Sequence, residues 1–163
     1  MNQMSNIYDA YKEFSTERFP NIVESDIVSF EERVRIRLPS DYRQFLVNFN
    51  GGYFSEPQIV HGNNEVPLDR LTFMHGIRSI HPEAELGKEE DVAMFDDNNP
   101  PEIIPVGCTI MGNLVLLVTH PDPEENGSVI LKTIESTFYL ARGIVDFFAL
   151  LQSCLFRRRF QSI

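Results

Sequence analysis

The chain contains no tryptophan and only two cysteines, Cys108 and Cys154, far apart in its 163 residues. Cysteines so few and so spaced suit a reduced compartment and form no metal or redox motif. No apolar run approaches the length of about 18 residues that a membrane-spanning helix needs. The N-terminal stretch MNQMSNIYDAYKEF lacks the basic flank and apolar segment of a secretory signal, so a cytoplasmic location is expected. Cations are scarce as well. Lys and Arg number 14 against 24 Asp and Glu, a net charge of −10. That balance excludes the basic footprint that nucleic acid or an anionic membrane requires, and it leaves room for a basic protein partner.

Catalytic signatures are also missing. The sequence holds no GxSxG, no Walker loop, no GxGxxG and no HExxH. His61, His75, His81 and His120 are scattered without an i, i+4 pair, so no zinc site is expected. Asp91, Asp96 and Asp97 miss the alternate-residue spacing of a calcium loop, whose central Gly and terminal Glu are absent too. Nothing in the sequence around Cys108 suggests a lowered pKa, and Cys154 falls in an apolar helical run. Neither metal, cofactor nor catalysis is expected.

What is present is a folding sequence. Hydrophobic residues make up 42% of the chain and include 13 Phe, enough for a real core in one domain over 1–163. Residues 5–15 read as a short helix with Ile7, Tyr8, Tyr11 and Phe14 on one side. A second helix starts after Ser25 as cap, places Ile27, Phe30 and Val34 inward, and ends near Leu38 because Pro39 disfavours a helical conformation before it. Glu31, Arg33, Arg35 and Arg37 fall off that stripe and should be solvated. Ser40 then caps a third helix, with Asp41 at its positive end and Tyr42, Phe45, Leu46 and Phe49 at i, i+3, i+4 and i+7. Asn50, Gly51 and Gly52 supply the open backbone of a helix exit followed by a reversal.

Downstream, strands are expected at 52–60, 71–77, 102–107, 113–120, 128–133 and 137–141, with a hairpin signal at Asn126-Gly127. His81 to Pro101 reads as loop or short helix. A final helix carries Ile144, Val145, Phe147, Phe148, Leu151 and Leu155. The fold class is α+β, a mainly antiparallel sheet between N-terminal helices and a C-terminal helix.

This order resembles the SUKH superfamily, which includes the fungal Smi and Knr regulators of cell-wall synthesis and bacterial toxin-immunity proteins. The resemblance rests on Phe30, Leu38, Pro39, Tyr42, Phe45, Leu46, Asn50, Gly51 and Gly52, then IIPVG at 103–107, NLVLLV, GSVIL and IVDFFALL. It covers about residues 22–155. The sequence departs from the family pattern where KT follows SVIL in place of an aromatic, and where MGN (111–113) replaces a Gly-Asp. The resemblance implies a SUKH-type fold and a protein that is not an enzyme. It implies either immunity, by stoichiometric binding of a toxin domain (often a nuclease), or a regulatory scaffold that binds host proteins.

The charge gathers in one place. Between His81 and Glu102 stand Glu83, Glu85, Glu89, Glu90, Asp91, Asp96, Asp97 and Glu102 against Lys88 alone, eight acids less one base, or −7 of the total −10. Such a run is either a solvated loop or an electrostatic landing patch for a basic partner. Asp122, Glu124 and Glu125 form a second acidic turn, which extends that patch or lies across the sheet from it. The Arg157–Arg159 run is a solvated end, a mate for the acidic loop, or a second contact surface.

Overall fold

The computed structural model describes residues 11–12, 15–60, 69–87, 102–120, 122, 124 and 126–151, leaving aside the side chains of 55–60. Among these residues, seven strands form one antiparallel sheet in sequential order. They are β1 (Ser15–Arg18), β2 (Gly52–Val60), β3 (Asp69–Met74), β4 (Ile103–Thr109), β5 (Leu114–Val118), β6 (Val129–Lys132) and β7 (Thr137–Ala141). Helices α1 (Glu24–Val34) and α2 (Ser40–Phe49) separate β1 from β2, and α3 occupies 144–151 after β7. The α+β expectation holds, with every anticipated strand in place and β1 added.

β1 has no strand-like pattern in its sequence, STER. It pairs with β2 through Glu17–Tyr53 and Arg18–Gly52, so the sheet edge supplies the hydrogen bonds that its composition does not call for. In β5, Val115 and Leu117 are fully buried on one face of the sheet, and Leu116 between them, on the other face, is buried as well. Val115 and Leu117 join Phe30, Phe45, Leu46, Val106, Leu131, Ile144, Phe147 and Phe148 in one cluster. Of the expected first helix over 5–15, Tyr11 and Lys12 are described and helical, while Ser15 belongs to β1; the Tyr11 ring lies 4.7–5.6 Å from those of Phe45, Phe49, Phe54 and Phe148. Ile7, Tyr8, Phe14, Cys154, Leu155 and Arg157–Arg159 lie outside the described residues.

Several helix boundaries differ from expectation. α1 stops at Val34, not near Leu38, because Arg35 takes a left-handed φ of 58° and its N–H donates to the Glu31 carbonyl. Ser25 does not cap that helix. Val23 occupies the cap position, and Asp26 accepts its backbone N–H at 2.9 Å. Ser40 is the first residue of α2 rather than its cap, which is Pro39, and the Pro39 side chain makes no capping hydrogen bond. Asp41 serves two helices: one carboxylate oxygen takes the N–H of Tyr42 (2.8 Å) in the first turn of α2, the other that of Ile144 (3.2 Å) at the start of α3.

Glu31 is the largest departure. Helical periodicity puts it on the solvated side, yet it is 7% exposed. One oxygen accepts the N–H of Leu38 at 2.8 Å, and the other meets Arg43 of α2 at 2.5 Å. Arg43 also bridges to Glu24. The extended link from Ile36 to Leu38 buries both of those side chains, and a backbone donor beside Pro39 would be orphaned there without Glu31.

Candidate partner-binding surface

The Asn-Gly-Gly exit of α2 organises one end of the sheet. Asn50 has φ 48°, with Gly51 at 78° and Gly52 at 150°, so the left-handed exit is realised. The side chain of Asn50, 1% exposed, does more than the sequence suggested. Its amide donates to the carbonyls of Pro20 (2.8 Å) and Ile77 (2.7 Å), while its oxygen accepts the N–H of Ile77 at 2.8 Å. Three separate segments are fastened by one amide. A methyl at Gly51 would lie 2.5 Å from the His75 carbonyl, and one at Gly76 only 2.0 Å from that of Asn50. Both positions therefore need glycine for close backbone approach. Phe30, Leu38, Tyr42, Phe45 and Leu46 are all buried, and Pro39 faces Gly127 of the β5–β6 connection. These signature residues build the fold.

Tyr11 and Tyr42 carry buried hydroxyls that have no hydrogen-bond partner among the described residues. Burial pushes both phenols up from the ordinary value of 10.0.

The described acids lie off the same end of the sheet as Asn50. β3 ends at Met74 opposite Gly107, and His75 donates to Val106, so the 75–87 segment leaves where β4 begins. Ile103 pairs with Val118, and Thr119 donates to the Glu102 carbonyl at 2.7 Å, which brings the β5–β6 connection to that end too. Glu83, Glu85, Glu102, Asp122 and Glu124 all belong to these connections. Glu89, Glu90, Asp91, Asp96, Asp97 and Glu125 lie outside the described residues.

The described acids differ in what they do. Glu85 is engaged by the backbone, accepting the N–H groups of Arg78 (2.9 Å) and Ser79 (2.6 Å) and bracing a turn in which Arg78 has φ 55°. Glu102 faces His120 Nε2 at 3.7 Å, while His120 Nδ1 accepts the Asp122 N–H at 3.0 Å. Asp122 in turn accepts the N–H of Glu124, and both side chains are exposed.

Glu83 belongs to a cluster that no sequence pattern announces. It accepts the hydroxyl of Tyr53 at 2.6 Å. His81 sits between Glu17 (2.9 Å) and Glu83 (3.9 Å), and its ring packs against Phe19 and Tyr53. Desolvation, with the Glu83 carboxylate beside it, pushes the Tyr53 phenol up. These partners are 30 and 64 residues apart in the chain, so only β1–β2 pairing and the return of the 75–87 segment unite them. Exposed carboxylates over an aromatic floor suit a cationic side chain of a partner.

Among the described residues, no group of three or more His, Cys, Asp and Glu is placed to hold a metal ion, and no helix is long and apolar enough to cross a membrane. No curated protein matches the chain. A profile of the SMI1/KNR4 family (SUKH-1) matches residues 21–150, from the segment ahead of α1 into α3. That span holds the Leu-Pro step, the Asn-Gly-Gly exit and strands β2 to β7, with β1 just ahead of it, and the chain belongs to the SMI1/KNR4 family (SUKH-1).

Proposed function

We propose that the chain is an immunity protein that binds a basic, nuclease-type toxin domain stoichiometrically and occludes its active site. Family membership supports an immunity or regulatory module; the toxin and the acidic contact are our further reading. The observation that carries it is the convergence of Glu83, Glu102, Asp122 and Glu124 on one end of the sheet, where the acidic stretch leaves and returns. Glu89, Glu90, Asp91, Asp96, Asp97 and Glu125 would extend that surface, while Glu85 would act mainly by holding its turn. Blockade by a bound protein needs no catalytic residue, so the reading is non-enzymatic and without cofactor. The cytoplasm is its place of action.

Complementary charge acts chiefly on the association rate. Replacing Glu89, Glu90, Asp96 and Asp97 with Lys should slow association with the protein encoded beside this chain about tenfold or more, and flatten its salt dependence. Co-expression supplies the partner: rescue of growth with a stable complex establishes immunity. If the quadruple variant binds and rescues like the parent, the acidic surface is not the contact. If the neighbour is harmless, the regulatory reading, in which the chain binds host proteins, replaces immunity.

A further inference from the structure

The two edges of the sheet are treated differently. β1 is four residues long, carries Glu17 and Arg18, and has a register shift between Ser15 and Glu17. Charge, shortness and irregularity are the usual protections against edge pairing. β7, Thr-Phe-Tyr-Leu-Ala, has no charge and no proline, and its irregularity falls late, at Leu140, where Val129 pairs with Ala141 and Ile130 with Tyr139. Among the described residues, only β6 pairs with it.

The register shows which backbone groups face outward. Thr133 donates to the Ser136 carbonyl, making 133/136 a hydrogen-bonded pair, and the antiparallel alternation makes Leu131/Phe138 the next. Thr137 and Tyr139 therefore direct their N–H and C=O groups away from β6. Exposed apolar side chains accompany them: Tyr139 is 58% exposed and Ile134, in the preceding turn, 99%. Glu135 before the strand and Arg142 after it are both exposed, and neither is in an ion pair within the described protein.

We propose that β7 pairs antiparallel with β7 of a second copy about a two-fold axis through Phe138. That register sets Thr137 opposite Tyr139 of the other copy, twice, and satisfies all four outward groups on each side with four hydrogen bonds. The two Phe138 side chains meet on the core face, and each Tyr139 lies across the other copy's Thr137. The bulge at Leu140 falls outside the paired residues. Arg142 of each copy arrives beside Glu135 and Ile134 of the other, so two unpaired charges find complements and two exposed apolar side chains are covered. This self-complementarity identifies the occupant as a second copy, and it is independent of the toxin reading.

Sedimentation velocity at about 0.15 M salt, where the overall charge is screened beyond about 8 Å, tests this over a range of concentrations. The full chain should show a monomer–dimer equilibrium. Thr137→Pro removes an outward N–H without touching the β6 ladder and should leave a folded monomer. Arg142→Glu should weaken the dimer on the order of tenfold, since both symmetry-related pairs become repulsive. Adding Glu135→Arg to Arg142→Glu should restore it. A parent that stays monomeric at hundreds of micromolar, or a dimer that persists in Thr137→Pro with unchanged circular dichroism, overturns the proposal. So does a monomeric parent whose Thr137→Pro variant loses a different protein partner, because the edge would then belong to that protein.

Discussion

Replacing Asn50 separates two contributions that one residue makes at the exit of α2. Asn50→Gly keeps the left-handed backbone but deletes three side-chain hydrogen bonds, to Pro20 and to both polar groups of Ile77. Each backbone group left without a partner costs about 1–3 kcal/mol when buried. The Pro20 contact is only partly buried and the two Ile77 contacts are buried, so even at the low end of that range, about 1–1.3 kcal/mol for each of the three groups, the loss should reach roughly 3–4 kcal/mol. Asn50→Ala adds the strain of a β-carbon at φ 48°, about 1 kcal/mol more. Alanine should thus cost roughly 4–5 kcal/mol against a typical total of 5–15, and lower Tm by about 8–20 °C. Asn50→Asp keeps the acceptor for the Ile77 N–H but sets a carboxylate against two carbonyls, so it should be no better than alanine. Urea unfolding of the four proteins measures all of this. An alanine variant within 1 kcal/mol of the parent, or a glycine variant less stable than the alanine one, refutes the reasoning.

The other expectations concern buried polar groups. Glu31→Leu should destabilise by about 3 kcal/mol despite its gain in apolar area, because it strands the Leu38 N–H and removes one of the two acidic partners of Arg43; denaturant midpoints decide it, and a neutral result would mean that the link rearranges. For Tyr11 and Tyr42, whose phenols have no partner among the described residues and are raised by burial, the unfolded chain loses protons first as pH climbs past the ordinary tyrosine value of 10.0. Stability is therefore fully present below that pH and lost above it, by about 1.4 kcal/mol per pH unit for each tyrosine. The double Phe variant should be at least as stable as the parent at neutral pH and lose less above pH 10, as read by thermal melts across that range. Equal alkaline losses in both proteins would contradict the burial argument.

The sequence was most legible where local rules and burial agree. Tyr42, Phe45, Leu46 and Phe49 repeat at helical spacing and are all buried, and the glycines after Asn50 take the positive φ that a helix exit needs. Apolar runs marked six of the seven strands. The seventh, β1, has no such pattern and exists by pairing with β2. Caps were less legible. Ser25 and Ser40 are good capping residues by type, but Asp26 and Pro39 hold those ends, and Asp41 caps a helix about a hundred residues away. The burial of Glu31 is not legible in the sequence, because helical periodicity reports which face a residue occupies, not which distant backbone donor will need it.

The sequence by itself determined the family, the α+β class, the residues of the core and the sign of the charge. Each depends on local periodicity, turn chemistry or composition, which neighbouring residues settle among themselves. Tertiary structure alone decided that Asn50 fastens three segments, and that Glu17, Tyr53, His81 and Glu83 meet over an aromatic floor. It alone placed β7 at the edge of the sheet among the described residues. These features depend on the register between strands and on groups tens of residues apart, whose encounter only the closed sheet brings about.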